Sequence, residues 1–460
     1  MASFKAIELE KDSIRKLLLK YSLPGIIAMI VSSLYNLADS VFIGHGCGPL
    51  ALAGLTVAKP FMDICAAFGS LVGVGASTIV AIKLGEKNYK DANLVLGNVI
   101  LLNIILSSLV SCVGLIWLEP ILYAFGGSES TIKYAYEYMQ ILLIGNVLTH
   151  IYFGLNNMLR SIGHPKISMI ATIVSVAINV ILDPIFIFTF NLGVKGAAIA
   201  TIISQLIAVM WQLKVLCNPK EVVHFNKEIW KLNKSLLRQI ITIGLAPFLM
   251  NLAHCLVVII INNQLKVFGG DIAIASYGII NRFIFIFAMI VMGLNQGMQP
   301  IVGYNYGAQK YKRMMRAFDL TAICATIITG LLFLIGVFFP NWIIQIFTHE
   351  AYLINFSKTP TQIICCSMLI VGFQMVTINF FTSIGMPKKS IFLSLTRQVL
   401  YLIPLILLLP HLFKNNPLLG VWWSIPISDI LSAFTAFFML LKQKLFFKQE
   451  IAIQAQNSIA

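Results

Sequence analysis

Charge is what this chain has least of: only 11% of its 460 residues are Asp, Glu, Lys or Arg, against 58% apolar. A soluble domain carries about 25% charged residues, so a water-exposed globule is excluded and an integral membrane protein remains. Acidic residues are the scarcer sign, 18 against 33 Lys and Arg. The resulting +15 invites a nucleic-acid reading, yet every long stretch is apolar and no soluble domain offers a face on which cations could cluster. No Cys-x-x-Cys occurs. The eight cysteines, the adjacent Cys365 and Cys366 included, fall in or beside apolar runs and read as packing residues, not as disulfides or metal ligands. Motifs for a membrane enzyme are missing too: there is no His-Glu-x-x-His, no phosphate-cradling Gly-rich loop before a helix and no paired Asp motif. The first 17 residues are charged, with no small-residue cleavage site after a short apolar core, so no leader is expected to be removed.

What is present is apolar length. A bilayer core about 30 Å thick needs roughly 20 apolar residues per helix, and twelve stretches qualify: 18–44, 50–82, 93–118, 134–159, 167–190, 194–216, 239–265, 272–304, 317–339, 357–383, 390–410 and 418–441. The expected architecture is all-α and polytopic. Alternate connections and the two tails carry 25 Lys and Arg, the opposite loops five (Lys133, Lys195, Lys266, Lys358 and Lys414), and three more lie inside spans. By the positive-inside rule both termini and the central connector are cytoplasmic in a cell membrane. The net charge therefore reports topology.

The chain also repeats itself at an offset of 222 residues. Gly48, Ala51 and Ala53 return as Gly270, Ala273 and Ala275, and Gly85, Tyr89 and Lys90 as Gly307, Tyr311 and Lys312. Ser161, Ile162, Gly163, Pro165 and Lys166 return as Ser383, Ile384, Gly385, Pro387 and Lys388. Such a period is too long for a solenoid and fits a duplicated half. Six spans per half is an even number, so the halves share one orientation, as parallel repeats related by an axis along the membrane normal. The expected organisation is a cytoplasmic tail over 1–17, an N-lobe over 18–216, an amphipathic linker over 217–238, a C-lobe over 239–441 and a cytoplasmic tail over 442–460, frayed beyond 448. In the linker, Ile229, Trp230, Leu232, Leu236 and Leu237 sit at helical spacing among four lysines and Arg238, which predicts a helix lying on the leaflet.

Small residues mark the second and eighth spans. Gly69, Gly73 and Gly75 answer Gly293, Gly297 and Gly303, a spacing that lets helix backbones approach closely. The eighth span also holds Asn295, Gln296 and Gln299 before Pro300, polar groups that lipid would not tolerate. Pro300 is expected to kink the helix and the amides to face a cavity.

Acidic residues inside a span are costly and mark an ion path or substrate site. Asp39 and Asp183 lie five and seven residues from the outer ends of their spans, roughly 8 to 11 Å inside. Thr201 enters from the outer end of the sixth span to similar depth, and Asn179 shares a helix face with Asp183. Two carboxylates, an amide oxygen and a hydroxyl outline a cation site, for Na⁺ with further backbone or water oxygens, or for a proton shared by two carboxylates that resist ionising together. Pro184 would free the carbonyl of Val180 for such a site. Lys59 and Asp63, four apart, either neutralise one another or face the cavity; Arg282 follows Asn281, the repeat counterpart of Lys59. Cations in a cavity would favour anionic or zwitterionic groups, or hold Asp39 and Asp63. Arg397 and Asp429 are expected to pair between the last two spans, and His150 and His254 to be packing residues. Of 17 methionines a subset, Met292 among them, could offer adaptable apolar surface to a ligand.

Tyr35, Asn36, Leu37, Ala38, Asp39 and Gly44 in the first span, with Asn179, Asp183 and Pro184 in the fifth, resemble the multidrug and toxic compound extrusion (MATE) family. So do Arg160, Ser161, Ile162, Gly163 and Pro165, and the eighth-span run of Asn295, Gln296, Gly297, Gln299, Pro300, Ile301, Val302, Gly303, Tyr304, Asn305, Tyr306 and Gly307. The likeness covers 16–442 and is nearest the prokaryotic branch with its ion site in the N-terminal lobe. It implies two six-helix lobes in a V around a central cavity, and cation influx driving export of lipophilic, often cationic, drugs by alternating access. It also implies that Asp39, Asn179, Asp183 and Thr201 serve the coupling ion and substrate. A second branch uses acidic residues in the seventh and tenth spans, and here 239–265 and 357–383 contain none.

The expected function is therefore antiport: a monomer, surrounded by lipid, exporting small amphipathic compounds against H⁺ or Na⁺, with no cofactor and no nucleic acid. A flippase for a lipid-linked saccharide and a passive channel are the competing readings. Tyr35, Asn36, Lys59, Asp63, Arg282, Met292, Asn295, Gln296 and Gln299 are the cavity candidates.

Overall fold

The computed structural model describes residues 4–457, apart from the side chains of 4–7, 36, 37, 227, 455 and 457. Where lipid replaces water, every backbone N–H and C=O must find its partner within its own segment. The described residues accordingly form helices and no strand. In chain order they are α1 (Phe4–Lys11), α2 (Ile14–Cys47), α3 (Pro49–Gly85), α4 (Tyr89–Ile116), α5 (Leu118–Ala124), α6 (Ile132–Ser161), α7 (Pro165–Pro184), α8 (Val194–Leu216), α9 (Lys234–Gly307), α10 (Tyr311–Phe338), α11 (Pro340–Gln345), α12 (Ala351–Cys365), α13 (Met368–Ser383), α14 (Pro387–Leu395), α15 (Ile403–Leu412) and α16 (Pro417–Asn457). Ten helical stretches are long and apolar enough to cross a membrane, and α12 with α13, bent by 47°, makes an eleventh. The 74-residue α9 holds two passes, turning at Gly270, where φ is +68°. The passes therefore number twelve.

The internal repeat is written into the backbone. Gly48 and Gly270 both adopt positive φ, +86° and +68°, between the first two passes of each lobe. Gly163 and Gly385 do the same at +101° and +67° after the fourth passes. Side-chain-bearing residues rarely enter this region, which is why these glycines recur at the same offset.

Packing divides unevenly along the bundle. One core joins both lobes: Tyr21, Leu71, Ile79 and Leu159 from the first half with Ile240, Met298, Phe318 and Phe380 from the second. It lies at the end that carries the termini and the linker. At the opposite end the cores are separate, one of N-lobe residues such as Ile43, Phe61, Tyr138 and Ile187, the other of C-lobe residues such as Val257, Ile280, Leu332 and Trp422. The result is a V closed at the terminal end.

Glycine closes it. A Cβ on Gly25 would stand 2.7 Å from the Gly293 carbonyl oxygen, and Cβ atoms on Gly75, Gly244, Gly85 and Gly307 would collide with the backbones of Ile240, Leu71, Tyr304 and Ile82 in turn. Gly75 of the second pass and Gly293 and Gly297 of the eighth thus pack lobe on lobe, whereas Gly69 and Gly73 face His150, Phe153 and Asn157 of their own lobe. Phe68 and Phe248, with ring centroids 4.7 Å apart, lie near the floor of the cleft.

Three sequence expectations are corrected. The connector is no amphipathic helix: between Leu216 and Lys234 the described residues hold only a 3₁₀ turn, Lys227–Trp230, capped by Asn226. Ile229 is buried, its carbonyl against Gly97, and Val223 is buried too, while Trp230 is exposed, so the connector is anchored by separate side chains where a helical stripe was expected. Nor is 442–457 a tail. Helix α16 continues through it because Phe447 is buried and stacks on Tyr311 at 5.2 Å. The N-terminal segment is likewise docked. Leu9, Ile14 and Leu17 are buried; Arg313 Nη2 donates to the carbonyls of Leu9 at 3.2 Å and Asp12 at 2.6 Å, and Lys310 donates to Glu10 at 2.8 Å. The lysine beside it holds the Glu10 carboxyl below the usual carboxylate range.

Candidate ion and substrate site

Helices α2, α7 and α8 bring four of the sequence-chosen residues into the interior of the N-lobe. Asp183 is 0% exposed, Asn179 2%, Asp39 7% and Thr201 9%, so the set lies within the helix bundle and not on its surface. One turn apart on α7, Asn179 Nδ2 donates to Asp183 Oδ1 at 3.2 Å and to Thr201 Oγ1 at 3.3 Å. Thr201 in turn donates to the Ala197 carbonyl at 3.1 Å and pairs with the Tyr35 hydroxyl at 3.0 Å. Asp39 accepts from the Tyr138 hydroxyl at 3.4 Å and lies within electrostatic reach of Asp183. Directly after Asp183 and Pro184 the helix widens into a π turn, Ile185–Thr189, a feature frequent at functional sites.

The hydrogen-bond ledger of this group does not close. Asp39 Oδ1, Asn179 Oδ1 and Asp183 Oδ2 are buried and have no partner. A buried polar atom without a partner costs about 1–3 kcal/mol, more when charged. Here three such acceptors belong to one buried group, and no Lys or Arg forms an ion pair with either Asp among the described residues. Oxygen atoms alone suit a proton or a hard cation, whose first shell would be drawn from these three, the Thr201 hydroxyl, backbone and water.

The other candidates separate into groups. Lys59 and Asp63 are paired along α3 at 2.5 Å, both about half exposed. Arg397 Nε donates to Asp429 at 2.7 Å, as the spacing predicts, and Ser367 at the bend between α12 and α13 takes the second carboxylate oxygen at 2.8 Å. His150 Nε2 meets the Cys65 carbonyl at 3.0 Å, a packing role, whereas His254 is exposed within reach of Arg397 and Asp63. Arg282 is exposed and Met292 half-buried on the second limb of α9. The side chain of Asn36 lies outside the described residues. The eighth-pass amides differ from expectation: Gln296 accepts from Arg160 at 2.7 Å, Gln299 donates to Thr78 at 2.8 Å, and Asn295 is buried. Gln296 and Gln299 are taken up in the lobe-to-lobe contact because the V is closed at their level, whereas Asn295 Oδ1 is buried without a partner. Backbone φ and ψ stay helical through Pro300.

Sequence reasoning missed Tyr138 and Arg160 as partners. Tyr138 reads as one more aromatic of an apolar face, and only its hydroxyl, which a phenylalanine would lack, could have flagged it. Arg160 reads as a loop cation, but its guanidinium reaches back to Asn157 and across to Gln296.

The chain is 28% identical over 431 residues to the multidrug export protein MepA of Staphylococcus haemolyticus, covering 94% of each. A crystal structure of MATE in the bent conformation superposes with a TM-score of 0.92 at 23% identity, covering 98% of this chain and all of that one. The outward-facing structure of a multidrug resistance MATE family transporter of the MOP superfamily superposes at 0.90, also 23% identical, over 98% and 100% of the two chains. The MatE family model matches twice, over 24–185 and 243–408, one copy per lobe. With both halves matched and the fold shared, the chain belongs to the MatE family of membrane transporters.

Proposed function

We propose that this protein is a cation-coupled antiporter that exports small amphipathic compounds by alternating access, with Asp39, Asn179, Asp183 and Thr201 holding the coupling H⁺ or Na⁺. The observation that carries the reading is the set of three partnerless buried oxygens on Asp39, Asn179 and Asp183. Two carboxylates in a dry interior resist ionising together. A proton or a sodium ion relieves both the repulsion and the unmet acceptors. Its arrival draws α2, α7 and α8 together, because the ligands sit on different helices. A substrate held against the same helices then loses its fit, which is reciprocal coupling between two ligands.

With both termini in the cytoplasm, the closed end of the V is cytoplasmic and the cleft opens outward. Separating the lobes at their small-residue seam would reverse access. The names of the MepA relatives support multidrug export as the task. The test uses purified protein in liposomes with a pH gradient or a Na⁺ gradient imposed singly. One gradient is expected to drive dye transport, and Asp183→Asn to abolish that dependence while the protein stays folded. Undiminished gradient-driven transport in the variant would remove the site assignment, and transport indifferent to both gradients would favour a channel or flippase.

A further inference from the structure

The second limb of α9 carries an uncompensated cation where the cleft is open. Arg282 precedes Gly293 by eleven residues, three helical turns plus about 20°, so the two share a face. At Gly293 that face lies on the Ile26 backbone of α2. Arg282 therefore points toward the N-lobe, roughly 16 Å farther from the closed end, opposite the stretch of α2 that carries Tyr35 and Asp39. A guanidinium there toward lipid would be expensive; toward a water-filled cleft it is not. Among the described residues no carboxylate stands within ion-pair distance of it, whereas Lys59 is matched by Asp63 at 2.5 Å and Arg397 by Asp429 at 2.7 Å.

The same stripe continues with Phe285, Ile286 and Met289, at i+3, i+4 and i+7. Phe285 is 50% and Ile286 49% exposed. A planar fork of donors set one turn from a flat apolar surface fits a molecule with a carboxylate at one end and rings at the other. We propose that Arg282 anchors the carboxylate of zwitterionic or anionic aromatic substrates, with Phe285, Ile286 and Met289 receiving the rings. This rests on the exporter reading but not on its coupling ion.

The test measures equilibrium binding to detergent-purified protein of one rhodamine dye in two forms, the free carboxylate and its methyl ester. Arg282→Gln is expected to raise the acid-to-ester ratio of Kd by about tenfold, the loss of a charge-assisted hydrogen bond. Arg282→Lys keeps the charge but loses the fork, so it is expected to raise the ratio by less than Arg282→Gln does. A ratio unchanged in Arg282→Gln, whether both dyes bind as before or both weaken equally, overturns the proposal and makes Arg282 a structural cation. Binding in detergent needs no gradient, so a failure of ion coupling leaves this readout intact.

Discussion

Adding one methyl group to the seam should tip the lobes. Gly244 lies on the first limb of α9, and a Cβ there would stand 2.6 Å from the Leu71 carbonyl carbon and 3.0 Å from its Cα, with the carbonyl oxygen nearer still. These are backbone atoms of α3, which cannot swing aside as a side chain would. Overpacking of this kind costs about 1–3 kcal/mol, and the cost falls only on the state in which the lobes touch. A differential of that size moves a two-state equilibrium by about 5- to 150-fold. Gly244→Ala is therefore expected to populate the state separated at the terminal end. Gly278→Ala on the same helix is the control, because nothing lies within 4 Å of its Cβ position. Spin labels on the α3–α4 and α9–α10 connections, in liposomes, would report the separation. Each lobe keeps its own contacts, so lobe helicity should not change. If Gly244→Ala gives the same distance distribution as Gly278→Ala, the seam is not what holds the V closed.

Two further outcomes follow from ion pairs. Glu10 is held below the usual carboxylate range by its hydrogen bond to Lys310, so it favours the docked N-terminal segment while ionised. That contribution is complete above the unfolded pKa, about 4.3, and is lost as pH falls through the lower folded value; the protection of α1 amides, corrected for their intrinsic exchange, should hold steady from neutral pH to about 5 and fall below about 4. Arg397→Ala strips the buried Asp429 of its cation while Ser367 keeps only the other oxygen. A loss of about 3 kcal/mol is expected from thermal unfolding, with Asp429→Asn added to the same variant recovering part of it.

The conformational stake in the N-terminal segment was invisible in sequence. Residues before the first span read as a charged tail, yet Leu9 fits the shared core and Arg313 grips the carbonyls of Leu9 and Asp12. Periodicity cannot see this, because the partner loop lies about 300 residues away. The linker failed for the opposite reason: its apolar residues do repeat at helical spacing, but Asn226 and Asn233 each cap a new turn there, so Val223 and Ile229 are buried while Trp230 and Leu232 are exposed. Asp39 and Asp183 were legible since an acid inside an apolar run has few uses, and depth could be counted from the span ends.

What the sequence determined by itself is the frame. Apolar length makes the passes, the 222-residue offset makes two parallel lobes, and scarcity of acid singles out Asp39 and Asp183, because in lipid each of these carries a penalty too large for context to reverse. What only the tertiary structure decided is which groups meet. Tyr138 reaches Asp39, Gln296 and Gln299 close the seam, Asp39 Oδ1, Asn179 Oδ1 and Asp183 Oδ2 stay unpaired, and Arg282 is left exposed. Those outcomes depend on the distance between helices, which close-packed glycine backbones set and no single segment encodes.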